Sequence, residues 1–485
     1  MSDVTHAELI RHLAGEADTR VIALFIEAVP DGPALIDAVS SAGVPVVIMK
    51  AGRTDAGRAA ALSHTGSLAG DGRVWEELLR EAGAIVVRDS EELFDVAATY
   101  ARRAPRLEHR ARVAIVTISG GPSVVAADAC AELGLELPDL EAGLASVRDL
   151  VPSFASLRNP VDLTAQTDPA NYGPAVAAVI EHPDVDAVLA VNVGLDLPEF
   201  GDAFAAAARR SSKPIVAYVV APGIEETLES AGIPNFRSVE RALRALNALS
   251  MPDDGLGARR PARAAPGDGA ARDGALDEHA AKEMLARHGV PVVPDALVTS
   301  PPEAVAAARQ IALPVVVKVC SAAIPHKTDV GGVWLDLRSE EDVEAAFVAL
   351  QQRFSGERAL VQKLVEPGVE FLLGARRDPQ AGPIVVVGLG GTLVELLDDI
   401  AVCRVPVTRA SALRAVARLR TKQLLNGYRG LPPVDPLAVA DLLERLSELV
   451  ADTPAIVEVD LNPVIANAHG LVVVDALVRF EEAGQ

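Results

Sequence analysis

Three short apolar runs, "RVIALFIE", "PVVIMK" and "AIVV", recur in the first hundred residues, separated by "DGPALIDAVSSAG" and "GRVWEELLREAG". No other feature of the chain constrains the fold as much. Each run is continuous rather than alternating, which marks a strand buried on both faces. The stretches between them place apolar residues at helical spacing. Continuous β-branched runs joined by helices specify a parallel sheet covered on both sides. After a charged bridge, "RRAPRLEHRAR", the same pattern restarts with "VAIVTIS", "DAVLAVNV" and "PIVAYVV". Two doubly wound α/β domains are therefore expected, near 1–105 and 110–250.

The pattern stops at "PDDGLGARRPARAAPGDGAARDGAL", residues 252–276, which holds no β-branched or aromatic residue. Such a stretch cannot bury a core and reads as a flexible linker. Beyond it a helix, "DEHAAKEMLARHG", and the strand "PVVVKV" lead into the paired strands "VGGVWLDL", "ALVQKL", "VEFLLGARRD" and "PIVVVGLG". Hairpin-like spacing mixed with helices predicts an α+β module over 277–485. The 485 residues agree with about three domains at roughly 150 residues each.

The net charge of −22 repels a phosphate backbone, which excludes general nucleic-acid binding and confines polyanions to local pockets. Cys130, Cys320 and Cys403 are far apart and odd in number, so they form neither a disulfide framework nor a metal spacing. The polar N-terminus has no apolar signal region, and no apolar run is long enough for a bilayer. A soluble cytoplasmic protein is expected.

Several constellations carry chemistry. "LPVVVKVCSAAIPHKTDVGGV" puts Lys318 on a strand and ends in Gly331 and Gly332, whose backbone amides can approach phosphates. In "VEVDLNPVIANAHGLVVVDALV", Asp460 and Asn462 alternate and so share one strand face, and Asp475 follows on the hairpin partner. Oxygen ligands from adjacent strands suit Mg²⁺ held together with nucleotide phosphates. "TISGGPSVV" runs from a strand through Gly120 and Gly121 into a helix whose free amides suit a phosphoryl group. "LSHTGSLAGD" places His64 between hydroxyl residues in a stretch without apolar periodicity, a poor site for a core histidine. A neutral imidazole there is a good nucleophile near neutral pH.

Together these stretches resemble the ADP-forming acyl-CoA synthetases, the acetate–CoA ligase (ADP-forming) family related to succinyl-CoA synthetase. The first module resembles it through "ALFIEAVPDG", "VVIMKAGRT" and "SHTGSLAGD", and the second through "VTISGGPSVVAADACAELGLELP" and "RNPVDLT". The third does so through "HKTDVGGV", "RDPQAGPIVVVGLGG", "LLNGYRGLP" and "DLNPV". The resemblance implies two flavodoxin-like domains followed by an ATP-grasp domain. It implies the reaction ATP + carboxylate + CoA ⇌ ADP + phosphate + acyl-CoA, with His64 carrying the phosphoryl group and Glu27 orienting it. It assigns His326 to the phosphoryl relay or to simple phosphate binding, and Lys318 and Arg404 to phosphate. Gln362 and Glu370 fall around the adenosine pocket, Asn462 and Asp475 hold Mg²⁺, and Asp460 sits near the incoming phosphohistidine. Fused members begin with a CoA-binding Rossmann-like domain that has no counterpart here, so either a separate CoA-binding subunit supplies it or the chain is a truncated or regulatory relative; the resemblance also implies a homo- or hetero-oligomer. A non-catalytic nucleotide-binding regulator and an ATP-grasp ligase joining a carboxylate to an amine remain alternatives. The other histidines, His6, His12, His109, His182, His279, His288 and His469, read as surface residues.

Overall fold

The computed structural model describes residues 4–54, 56–57, 72–102, 107, 110–250, 274–324, 327–391, 399–428, 431–467 and 469–481. The chain divides into two compact units, Met1–Val29 with Ala34–Gly255, and Pro30–Pro33 with Leu256–Gln485.

The first unit holds two parallel sheets. β1 (Ile22–Ile26), β2 (Val46–Lys50) and β3 (Ile85–Val87) lie in sequential order. β4 (Val113–Thr117), β5 (Val161–Asp162), β6 (Ala187–Val193) and β7 (Ile215–Val220) form the second sheet in the order β5-β4-β6-β7. All five residues of β4 are buried, as a strand covered on both faces requires. The chain leaves β4 for one neighbour and returns to the other. That reversal opens a crevice outside the carboxyl ends of β4 and β6, where sheets of this kind bind ligands. The helix Val239–Leu249 packs on both the helix Ser90–Ala101 and the helix Gly120–Leu133. Tyr100 Oη donates to Ala248 O at 3.0 Å, and Arg241 grips Asp95 at 2.7 and 2.8 Å, so the two sheets share one helical layer.

The second unit is antiparallel. β8 (Asp295–Val298), β9 (Val315–Cys320), β10 (Val333–Leu337) and β11 (Arg358–Lys363) pair in the order β10-β9-β11-β8. β12 (Val369–Asp378), β13 (Gly382–Leu389), β14 (Ile400–Arg404), β15 (Ile456–Asn467) and β16 (Gly470–Val473) pair in the order β14-β13-β12-β15-β16. β17 (Leu477–Phe480) also pairs with β15. In the smaller sheet, Val315, Val317 and Val319 point into a core with Val343, Phe347 and Leu350 of the helix Glu340–Arg353. Alternation then sends Val316, Lys318 and Cys320 to the other face. That face is also buried, which puts Lys318 in the interior.

Among the described residues, no helix is long and apolar enough to cross a membrane. The three cysteines are buried and none is in a disulfide. Burial pushes the Cys130 thiol up to about 12 and the Cys320 thiol up to about 11, so neither is a thiolate at neutral pH.

Candidate active site

Charged groups from five segments meet in the second unit. The helix Glu278–Arg287 is capped by Asp277, whose side chain accepts from Ala280 N. Its first turn carries Glu278 and its second Lys282, one turn apart on one face. Glu278 is 3% exposed. Its Oε1 accepts from Lys282 Nζ at 2.5 Å and from Lys318 Nζ at 2.9 Å, and its Oε2 lies 2.9 Å from Lys327 Nζ. Lys327 also donates to both oxygens of Asp475, at 3.0 and 3.2 Å. Lys282 donates to Gln362 Oε1, and its ammonium lies 3.3 Å from Asp295. Buried charges survive only when paired, and here three lysines balance Glu278, Asp295 and Asp475. Burial alone would raise the Glu278 carboxyl, but Lys318, Lys282 and Lys327 outweigh it and hold that carboxyl below the usual range. Burial likewise opposes the Lys327 charge, yet Glu278 and Asp475 push it above the usual lysine value. Both groups are charged at neutral pH.

The hairpin that carries the expected metal ligands abuts this cluster. β15 pairs with β16 through Val464↔Val473 and Asn467↔Gly470. Val474 N donates to Pro463 O at 3.0 Å, extending the pairing toward Asn462 and Asp475. Asp460 and Asn462 lie on the face of β15 opposite the buried Val459 and Leu461, with Asp460 half-buried and Asn462 exposed. The described residues hold no group of three or more His, Cys, Asp or Glu able to bind a metal. One carboxylate and one amide oxygen fit Mg²⁺, which takes one or two protein oxygens with phosphates and water. An ammonium already sits against both Asp475 oxygens, so this carboxylate is placed to hold a cation.

Two expectations are corrected here, the free amides of Gly331 and Gly332 and the surface position of His182. Gly331 N donates to Thr328 O and Gly332 N to Lys327 O, so both amides are taken within their own loop rather than offered to phosphate. Gly331 serves a left-handed turn at φ 62°, and a Cβ on Gly332 would meet Val319 at 2.6 Å. Gln362 is buried with its amide oxygen on Lys282, so its side chain belongs to the charge cluster. His182 is buried at 8% exposure, and its Nδ1 accepts from Asp184 N. Glu370 is exposed on β12 opposite Ile465, and its carbonyl accepts Gly390 N at 2.7 Å. Arg404 ends β14 half-buried, opposite Ile384.

In the first unit Glu27 follows β1, half-buried. Beside it Lys50 closes β2 at 1% exposure, donating to Glu27 O at 2.8 Å and Ala51 O at 2.6 Å. At the switch point, Ser119 precedes the helix Gly120–Leu133 without capping it through its side chain. Its Oγ is turned instead toward β6, accepting from Val193 N at 3.1 Å. The first helical amides are thereby left without a side-chain acceptor from Ser119. A Cβ on Gly121 would meet nothing within 4 Å, and one on Gly120 would come 3.5 Å from Asp162 Oδ2. His64, His326 and His109 lie outside the described residues.

Comparison with known proteins then gives the kinship. The chain matches the succinyl-CoA ligase like flavodoxin domain over residues 1–100, the ligase-CoA domain over 113–226 and the ATP-grasp domain over 269–480. It is 33% identical to an ADP-forming acetate–CoA ligase I of Archaeoglobus fulgidus, over 97% of this chain and 71% of that protein. This chain belongs to the ADP-forming acyl-CoA synthetase family. A trans-feruloyl-CoA synthase from an unknown prokaryote is 32% identical over 98% of this chain and 71% of its own length. The beta subunit of an ADP-forming acetate–CoA ligase I of Pyrococcus furiosus is 35% identical over 41% of this chain and 90% of that subunit.

For this acyl-CoA synthetase, sequence reasoning missed Glu278, Lys282, Lys327 and Lys50 as members of charged sites. The helix containing Glu278 and Lys282 has the caps and charges of a solvated surface helix, so nothing local signals its inward face. Lys50 carried a readable signal, a lysine closing an otherwise apolar strand run.

Proposed function

We propose that this ligase catalyses ATP + carboxylate + CoA ⇌ ADP + phosphate + acyl-CoA, with His64 as the phosphoryl carrier. The supporting observation is the convergence of Lys318, Lys327 and Asp475 beside the strand that carries Asn462. Cations and hard oxygen donors in one place are what a nucleotide polyphosphate with Mg²⁺ requires. In the acyl-CoA direction of cleavage, a phosphate oxygen attacks the thioester carbonyl and CoA leaves as thiolate. An imidazole nitrogen of His64 next takes the phosphoryl group and releases the carboxylate. A terminal oxygen of ADP then attacks phosphorus and frees the histidine, completing ATP. Gly120 and Gly121 would hold the phosphoryl group through amides at the helix start. Glu27 would orient the imidazole, and Lys50 fixes the strand ends around Glu27. Mg²⁺ held at Asn462 and Asp475 would neutralise phosphate charge. His326 would contact the phosphoryl group near the nucleotide, Asp460 would face the phosphohistidine, and Glu370 and Arg404 would flank the nucleotide.

Relatives named for acetate and for a feruloyl group are about equally similar to this chain, so overall identity does not select the acid. A relative named as a subunit shows that the family includes enzymes divided between chains. A separate CoA-binding partner subunit is part of the proposal.

The test is incubation with Mg²⁺ and γ-labelled ATP, followed by a search for an acid-labile, base-stable phosphoryl group. Label on the wild type and none on His64→Ala is the expected result. ATP binding without label on either protein would replace the ligase reading with nucleotide sensing.

A further inference from the structure

Resting on the nucleotide site just proposed, the structure assigns a task to Glu278. We propose that Glu278 is a positioning residue, the fixed anion that keeps Lys318 and Lys327 at the phosphate site when Asp475 turns to a divalent cation.

Lys327 has two acidic partners, and they differ in kind. The Asp475 side chain is 30% exposed, whereas that of Glu278 is 1% exposed. Only Asp475 is open to an incoming hydrated cation. A cation on Asp475 competes with the ammonium now lying 3.0 Å from it, since one carboxylate cannot serve both at full strength. With Asp475 as its sole partner, a buried Lys327 would lose its counter-charge at the moment the metal arrives. An unpaired buried ammonium would swing away or shed its proton. Glu278 prevents this, because Oε2 stays on Lys327 while Oε1 keeps Lys318 and Lys282. It is placed from below by a capped helix, and Lys282 is itself tied to Gln362 on β11. The two lysines that face the phosphates therefore keep a counter-charge that no ligand reaches. Their positions are set before binding, and the ordering cost of long side chains is met in advance.

The test uses the full chain with Mg²⁺ alone and with ADP as probes. Lysine accessibility is read by brief acylation with an amine-reactive ester and peptide mapping by mass spectrometry. ADP affinity is read by calorimetry, and folding by circular dichroism. In the wild type, Lys327 should stay protected with and without Mg²⁺. In Glu278→Gln, added Mg²⁺ should raise Lys327 acylation at least fivefold, and Mg²⁺–ADP affinity should fall at least tenfold. Glu278→Asp, which restores the charge, should recover part of both. A Glu278→Gln protein with protected Lys327 and ADP affinity within twofold of wild type overturns the proposal. Should Glu278→Gln not fold, Asp475→Asn decides. Lys327 must remain protected there, held by Glu278, and its exposure overturns the assignment. Absence of Mg²⁺–ADP binding by the wild type would instead remove the nucleotide reading itself, and this proposal with it.

Discussion

Lys50 illustrates how one residue couples strand chemistry to a site. Burial pushes its ammonium below the usual lysine value, and the nearby Glu27 charge offsets only part of that shift. The unfolded chain keeps this proton up to about pH 10.4. Between the depressed folded value and that limit, the unfolded state binds more protons, so rising pH favours folding. The contribution is complete above about pH 10.4 and is lost as pH falls through the folded value. We expect the melting temperature of wild type minus that of Lys50→Met to increase from pH 7 toward pH 10.5. A difference that is flat across the series would remove the burial argument. At this scale the sequence was readable where period alone decides orientation. Asp460 and Asn462 share a face because a strand alternates, whatever packs against it. Glu278 and Lys282 were not readable. Their inward turn depends on Lys318 and Gln362, which arrive 40 and 80 residues later in the chain.

Elements depend on close backbone approach at particular glycines. A Cβ on Gly390 would stand 2.6, 2.7 and 2.9 Å from the C, O and N atoms of Phe371. Those are main-chain atoms of β12, so no rotamer change relieves the clash. Gly390→Ala should therefore cost about 1–3 kcal/mol. Its melting transition should drop by on the order of 2–4 °C for each kcal/mol. Gly173, within the helix Pro169–Glu181, has nothing within 4 Å of an added Cβ apart from its chain neighbours. The next residue is Pro174, whose ring crowds a Cβ placed ahead of it in helical backbone, so Gly173→Ala should bring no net stabilisation despite the lower backbone entropy of its unfolded chain. Calorimetry on the two variants compares the losses, and a loss at Gly173 as large as that at Gly390 would contradict the packing argument. Strands were legible because "VEFLLGARRD" is bounded by turn residues, and it spans β12 as observed. Strand order was not, since β5 has two residues and takes its edge place by pairing with β4 rather than by its own pattern.

At the scale of the whole chain, the composition break at 252–276 lies close to the division between the two units. Each apolar cluster of the described residues lies within one unit. The clusters around Val116, Ile115 and Val47 belong to the first unit, and those around Val317 and Leu373 to the second. Units with separate cores melt as separate cooperative blocks, because cooperativity follows shared buried surface. The lysine cluster and the Asn462–Asp475 hairpin belong wholly to the second unit. A ligand that binds only the folded form adds stability to the block that binds it. At a hundredfold excess of Mg²⁺–ADP over its dissociation constant, that addition is about 2.7 kcal/mol. Scanning calorimetry of the intact chain should thus show two transitions, with Mg²⁺–ADP moving one upward by several degrees and leaving the other in place. Limited proteolysis at the midpoint between them assigns the shifted transition, since fragments from 274–485 should be the ones protected by nucleotide. If both transitions moved together, nucleotide contacts would have to extend into the first unit, and the phosphate site would not be complete within the second.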